Sequence, residues 1–266
     1  IRTRLVGSEM CIRDRNKTNH LTGNFSDSFA KLNTVFLQLI VMVMSFAPIG
    51  VFCLIGKFVI ADGLDIFQDV LAYVVLLISL LLFHAFFTYS IFLKFVGGLS
   101  PITFFKKIKN VALFAFSTSS SAATIPVTLK TVNQDLGVNQ NVASFVVPVG
   151  ATINMDGTAI MQGLATVFIA QMSGIDLTLF QYGQVVLLAV ATSIGTAAVP
   201  SAGTITLIII LQQFNLPLEA IGIILAVDRV LDMIRTSVNV TGDAAIACIV
   251  AKSENQLDEN IFNSHK

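Results

Sequence analysis

The sequence predicts an all-α membrane protein built from transmembrane helices, two re-entrant helical hairpins and one helix broken near its centre. Three observations carry that prediction. First, 55% of the 266 residues are hydrophobic, 12% are charged, and the mean hydropathy is +0.81, the composition of a polytopic helical membrane protein. Second, small polar residues with Gly or Pro interrupt apolar sequence around positions 117–121, 154–158 and 193–204. Third, Asp228, Asp232, Arg235, Thr236, Asn239 and Asp243 stand in an otherwise apolar stretch. At about 100° per residue these six fall on one stripe roughly 100° wide. Ionisable groups at membrane depth are expensive and imply function by default. The formal net charge of +0 leaves no case for nucleic acid or an acidic macromolecular partner.

The elements follow in order. Residues 1–15 are basic and lack the apolar core of a signal peptide. The string LVGSEMCIRDR at 5–15 resembles translated sequencing-adaptor sequence, so 1–15 is expected to be non-native. Segments 32–60 and 67–96 are each long enough to span a bilayer, with Asp62, Asp65 and Asp69 in the turn between them. In 102–134, an apolar arm leads to the polar run 117–121 and a second arm resumes at 125. Neither arm alone is long enough to cross, which predicts a re-entrant hairpin with a serine tip. Segment 138–172 could span, but Asn154, Met155, Asp156, Gly157 and Thr158 predict an unwound centre whose carbonyls turn inward. Segment 177–214 repeats the hairpin pattern around a tip at 193–204, and 217–250 is the helix that carries the polar stripe. Two broken elements in corresponding places point to the binding site of an inverted-repeat transporter. Residues 253–266 are expected to form a cytoplasmic tail, whose polar part 255–266 reads as a frayed end.

Lysines set the orientation. With both ends cytoplasmic, Lys31, Lys94, Lys106, Lys107, Lys109, Lys130 and Lys252 lie inside, whereas outer loops carry Lys57 and mainly acids such as Asp62, Asp65, Asp176 and Glu219. Cys11, Cys53 and Cys248 show neither disulfide nor metal-ligand spacing. The phenylalanines of 83–95 read as ordinary packing residues.

Four strings stand out: TSSSAATIPVT at 118–128, NMDGT at 154–158, SIGTAAVPSAG at 193–203 and DRVLDMIRTSVNVTGD at 228–243. Together, and in this order, they resemble the dicarboxylate/amino acid:cation symporters, the family of glutamate and aspartate transporters. The likeness runs from about Lys31 to Glu254. It implies a trimer in which transport domains move against a scaffold. Residues 16–62 would then be a scaffold remnant with one transmembrane helix and 63–252 the transport domain. The sequence resembles the family from its fifth helix onward, and a chain lacking the first four is not expected to transport alone. A plasma or inner membrane location, a cytoplasmic C-terminus and no cofactor beyond co-transported sodium complete the implication.

The residues support a specific chemistry. Asp156, Asp228, Asp232 and Asp243 face Arg235 and at most Arg229, a shortfall of about two positive charges that sodium ions would fill, since Na⁺ suits carboxylate and carbonyl oxygens. By resemblance, Asp243 with the backbone at Gly150, Asn154 and Asn239 forms one sodium site. Asp156, Asn154 and Thr158 contribute to another, and the backbone at Thr152, Met155, Ser193, Ile194 and Thr196 forms a third. The Arg235 fork matches a side-chain carboxylate, and Asp232 on the same face would take an ammonium. Asn239 with the tip residues Ser120 and Ser121 would hold an α-carboxylate. Thr236 and Thr158 would add hydroxyl contacts, and the resemblance includes Val199 among the substrate contacts. The competing reading is an internal Arg235–Asp232 salt bridge that staples the helix.

Two departures from the family pattern stand out. Neither Ser119 nor Met233 is the second arginine that many relatives carry, and Arg229 lies about 20° outside the stripe. Ala198 and Ser201 replace glycines found in some relatives, which narrows the backbone angles of the second tip. Other function classes fare worse. His20, His84 and His265 sit in no motif that would activate Ser119–Ser121 for enzyme catalysis, and His84 reads as a packed histidine. A channel needs a continuous lined pore. Among transporters, a C4-dicarboxylate or a neutral amino acid is the alternative substrate to aspartate or glutamate.

Overall fold

The computed structural model describes residues 66–264 continuously and isolated positions between 35 and 60. The chain divides into two compact units, Ile1–Cys53 and Leu54–Lys266. The expectations for 1–15, for the scaffold segment 16–62 and for the span 32–60 fall outside the continuously described residues. Within 66–264 every regular element is helical, with one isolated β-bridge between Val138 and Leu257.

Helix α1 begins at Ile66–Phe83 and continues through a π turn His84–Thr88, an α turn Tyr89–Ile91 and a second π turn Phe92–Val96. Its stretch Phe67–Val96 has a mean hydropathy of 2.6 over its most apolar window and is long and apolar enough to cross a membrane. Pro101 at the first helical position, with the Ser100 hydroxyl accepting from Thr103 N–H, starts α2 (Pro101–Thr118). Ser119, in the left-handed region at φ 50°, turns the chain, and the Ser120 side chain caps α3 (Ser121–Gln134). A broken pair follows, α4 (Gln140–Ile153) and α5 (Asp156–Met172). Next come α6 (Leu179–Ile194), opened by a Thr178–Gln181 capping box, and α7 (Ala202–Gln213). The 33-residue helix α8 (Ile221–Ser253) and a short α9 (Glu259–Asn263) end the described chain.

Helix α8 is the axis of the unit. Its first half joins an apolar cluster with Leu77 and Leu81 of α1, Met161 and Ile169 of α5, and Leu207 and Ile210 of α7. Its second half presents small residues, Ala244, Ala247 and Cys248, against Phe104 and Val111 of α2, Val132 of α3, Val147 of α4 and Phe262. Small side chains there let neighbouring backbones approach closely.

Three expectations are corrected. The break in 138–172 is narrower than the sequence implied: only Asn154 and Met155 leave helical geometry, and α5 resumes at Asp156. The Asp156 carboxylate sits in the first turn, where a negative charge favours the helix, and Asn239 accepts the Gly157 N–H, so winding continues. The second tip spans 195–201 rather than 193–204, because α6 runs to Ile194 and α7 restarts at Ala202. The tail is not frayed. Asn139 N–H donates to Gln256 O at 2.9 Å, Asp258 N–H to Gly137 O at 2.8 Å, and Phe262 is 1% exposed. One buried aromatic in a polar segment is enough to dock it. Phe262→Ala should therefore lower stability by about 3 kcal/mol or more, read as an earlier thermal unfolding midpoint in detergent; an unchanged midpoint would contradict the docking.

Candidate functional site

The polar stripe of α8 is buried over its whole length. Asp228, Asp232, Arg235, Thr236, Asn239 and Asp243 all fall between 2% and 5% exposed. Arg229 is exposed, so it takes no part. Four carboxylates, Asp156 included, thus face one guanidinium, and the shortfall of positive charge is three rather than the two the sequence allowed. Two polar layers satisfy the stripe.

In the first layer, Arg235 lies between two acids of its own helix. Nη2 donates to Asp232 Oδ1 at 2.5 Å and Nη1 to Asp228 Oδ1 at 3.3 Å. The internal Arg235–Asp232 bridge weighed from the sequence is present, and Asp228 extends it. Each acid is also held by the α6–α7 pair, Asp232 by its tip and Asp228 by the first turn of α7. Asp232 Oδ2 accepts the Ser201 N–H at 2.9 Å, and Asp228 Oδ1 accepts the Thr204 hydroxyl at 2.7 Å. The Asp228 Oδ2 atom has no partner among the described residues.

The two tips meet over this layer. The Ser120 hydroxyl donates to Ala198 O at 2.8 Å, and Ala122 N–H reaches the same carbonyl at 3.5 Å. Beneath them is a cavity of about 20 Å³, room for roughly one water molecule. Of the predicted substrate residues, Ser121, Thr158, Val199, Asp232, Arg235, Thr236 and Asn239 line it, joined by Ser119, Met155 and Thr196. Ser120 instead turns its hydroxyl onto the opposite tip. Ser201 sits at φ 59°, so the serine standing where some relatives have glycine occupies a left-handed position, which costs an L-residue roughly 1 kcal/mol.

The second layer surrounds the break. Asn154 Nδ2 donates to Asp243 Oδ1 at 3.0 Å, and the same Asp243 oxygen would lie 2.5 Å from a Cβ at Gly150, so only glycine permits this approach. Asn239 Oδ1 accepts Gly157 N–H at 2.8 Å, and its amide nitrogen lies 3.4 Å from Thr158 Oγ1. Asp156 stands apart from the Asn154–Asp243 pair. Its Oδ2 is 3.0 Å from His84 Nε2 and 3.0 Å from the Tyr89 hydroxyl, which also reaches Val238 O at 3.2 Å. Ser193 and Thr196 are buried at the end of α6 and in its tip, whereas the side chains of Thr152 and Ile194 are exposed. The Thr196 hydroxyl is engaged with Thr206 at 2.9 Å and Thr192 O at 2.8 Å. Thr206 in turn accepts from Gln162, whose Nε2 also donates to Gly203 O.

His84, Tyr89, Thr204 and Gln162 are the polar partners that sequence reasoning missed. For His84 and Tyr89 the cause is geometric. Five residues apart, they would diverge by about 140° on an α-helix. The π turn His84–Thr88, in which Tyr89 N–H bonds His84 O, brings both side chains onto Asp156. The usable signal was the pairing of a histidine and a tyrosine within an otherwise apolar span.

A sequence model of the sodium:dicarboxylate symporter family matches residues 10–253. Excitatory amino acid transporter 2 of Homo sapiens is 41% identical over 243 residues, 90% of this chain and 42% of that protein. An excitatory amino acid transporter of Caenorhabditis elegans is 41% identical over 224 residues, 84% of this chain and 44% of that protein. Excitatory amino acid transporter 1 of Mus musculus is 40% identical over 224 residues. The chain spans less than half the length of these curated relatives, and all are named as transporters rather than enzymes.

Gly242 supplies a test of the second layer. A Cβ there would lie 2.5 Å from the Tyr89 hydroxyl and 2.8 Å from Asn154 Nδ2. Gly242→Ala should destabilise by about 1–3 kcal/mol through overpacking. Gly163→Ala, whose Cβ would meet nothing within 4 Å, should be neutral or stabilise by up to about 1 kcal/mol. Equal unfolding midpoints for the two variants would refute the notch.

Proposed function

We propose, because the chain belongs to the sodium:dicarboxylate symporter family, that it is the substrate-carrying part of a membrane transporter that couples uptake of an acidic amino acid to sodium by alternating access. The observation that carries this reading is Arg235, buried between Asp228 and Asp232 in the wall of a cavity covered by two helix-pair tips. A guanidinium in such a place selects a carboxylate bidentately. The distal carboxylate of aspartate or glutamate would take the place of Asp232 at Arg235. Asp232, released, would meet the ammonium group, and Ser121, Thr158 and Asn239 would hold the α-carboxylate. Since the cavity as it stands fits no amino acid, the 195–201 tip would lift from Ser120 and Asp232 to admit one.

Sodium is the cargo that answers the charge shortfall. Asp243, the Gly150 and Asn154 backbone and Asn239 suit a hard cation, as do Asp156 and Thr158, and the break frees carbonyls at the C-terminal end of α4. Backbone at Thr152, Met155, Ser193, Ile194 and Thr196 would close a third position beneath the tip. In this reading the pairs α2–α3 and α6–α7 are re-entrant hairpins of an inverted repeat, 63–252 is the transport domain, and the full-length assembly is a homotrimer with a cytoplasmic C-terminus. The relatives named as excitatory amino acid transporters favour an amino acid over a C4-dicarboxylate.

Calorimetric binding of L-aspartate, L-glutamate and succinate, with and without sodium, tests this directly. An acidic amino acid should bind only with sodium, and succinate more weakly for lack of an ammonium. Arg235→Cys should weaken acidic-substrate binding by about 30-fold or more while sodium binding persists. Undiminished aspartate affinity in that variant would reassign Arg235 to a structural staple, and tighter succinate binding would make the substrate a dicarboxylate.

A further inference from the structure

A second, chemically distinct cavity lies away from the stripe, between α2, the end of α3 and α9. It measures about 630 Å³, and its lining includes Lys106, Lys107, Lys109, Asn110, Asp135 and Asn260. Three ammonium groups thus face one carboxylate. The lysines divide the work. Lys107 builds the wall, since its Nζ donates to Asp135 O at 2.9 Å and Ile261 O at 2.6 Å, tying α3 and α9 to α2. Lys106 and Lys109 are exposed, and neither enters an ion pair among the described residues, where Arg235 and Lys252 are the paired cations. Glu259, the acid at the start of α9, is already matched by Lys252.

Along α2 the charged face runs into an apolar one. Lys106, Asn110 and Leu113 are spaced i, i+4, i+7, as are Lys109, Leu113 and Phe116, so each set shares a helix face. Leu113 is 67% exposed and Phe116 37%. A cationic cavity on the same helix as an exposed apolar stripe, and on the face that continues into it, matches an amphiphile better than a free anion, and basic pockets between helices at a membrane face are the usual seat of anionic lipid headgroups. Lysine stems can lie along apolar surface while their ammonium groups hold a phosphate.

We propose that this cavity binds the phosphate-bearing headgroup of an anionic phospholipid, with Lys106 and Lys109 as its donors and its acyl chains running along Leu113 and Phe116. The docked α9 then has a purpose: with Asn260 it supplies one wall of the headgroup site. The site is independent of Arg235, so the proposal rests only on the protein residing in a membrane.

The test is titration of the detergent-purified chain with short-chain phosphatidylglycerol, phosphatidylcholine and inorganic phosphate, followed by native mass spectrometry. Phosphatidylglycerol should form a saturable adduct, and the double variant Lys106→Gln/Lys109→Gln should weaken it about tenfold or more. Lys130→Gln, an exposed lysine outside the cavity, should leave it unchanged. Sodium-dependent aspartate binding in the double variant should match the parent, which separates this site from the transport site. An undiminished adduct in the double variant would overturn the proposal. So would equal binding of phosphatidylcholine, or displacement of the lipid by equimolar inorganic phosphate, which would make the cavity a free-anion site.

Discussion

A buried guanidinium must be surrounded by acceptors, and that constraint organises the part of this molecule around the first half of α8. Arg235 meets it within its own helix, through Asp232 one turn earlier and Asp228 two turns earlier. Two carboxylates around one cation leave lone pairs unmatched, and a buried charge lacking partners costs several kcal/mol. Ser201 N–H and the Thr204 hydroxyl match two of them. Both donors belong to the α6–α7 pair. The position of that tip is therefore a consequence of the charge triad as much as of apolar packing, and disturbing either would release the other.

Close approach of backbones performs the corresponding task around the break. Asn154 and Met155 interrupt α4 and α5, and interruption leaves orphan N–H and C=O groups at both helix ends. Side chains of α8 come close to the break because Gly150 and Gly157 lack the Cβ atoms that would meet Asp243 and Asn239, and Gly242 leaves room for Tyr89 and Asn154. Asn239 accepts the Gly157 backbone N–H, while Asp243 accepts from the Asn154 side-chain amide. The π turn in α1 contributes to the same layer by pointing His84 and Tyr89 jointly at Asp156. Helix distortions of this kind concentrate at functional sites because regular geometry could not place those side chains there.

Much of this was legible in the sequence. The stripe on α8 follows from helical arithmetic alone, and the small polar runs around 117–121 and 193–204 mark where α2 gives way to α3 and α6 to α7. What failed to show depended on departures from a single period. His84 and Tyr89 converge through i→i+5 bonding, which a 3.6-residue repeat assigns to different faces. The Asp228–Thr204 and Gln162–Thr206 contacts join residues whose separation no local pattern encodes. Phe262 was lost in the polar composition of its segment, where one aromatic among twelve residues carries little weight in any average yet decides whether α9 docks.

Hydrogen bonds hold the second tip over the cavity. The bond from Ser201 N–H to the Asp232 carboxylate and those from the Ser120 hydroxyl and Ala122 N–H to Ala198 O span the gap, while Thr204 lies behind the turn. A bond to a charged acceptor contributes about 1.5–3 kcal/mol net and a neutral one about 0.5–1.5 kcal/mol. Together they hold the tip in place by roughly a few kcal/mol. Under the proposed reading, an amino acid entering the open form offers Asp232 an ammonium in place of the Ser201 N–H and offers Arg235 a carboxylate in place of Asp232. Each exchanged contact is charge-assisted, as was the one it replaces, so the buried charges of Asp232 and Arg235 stay paired when substrate is bound. A dicarboxylate without the ammonium would leave Asp232 desolvated beside another anion, and that unpaired charge gives the site a physical basis for preferring the amino acid.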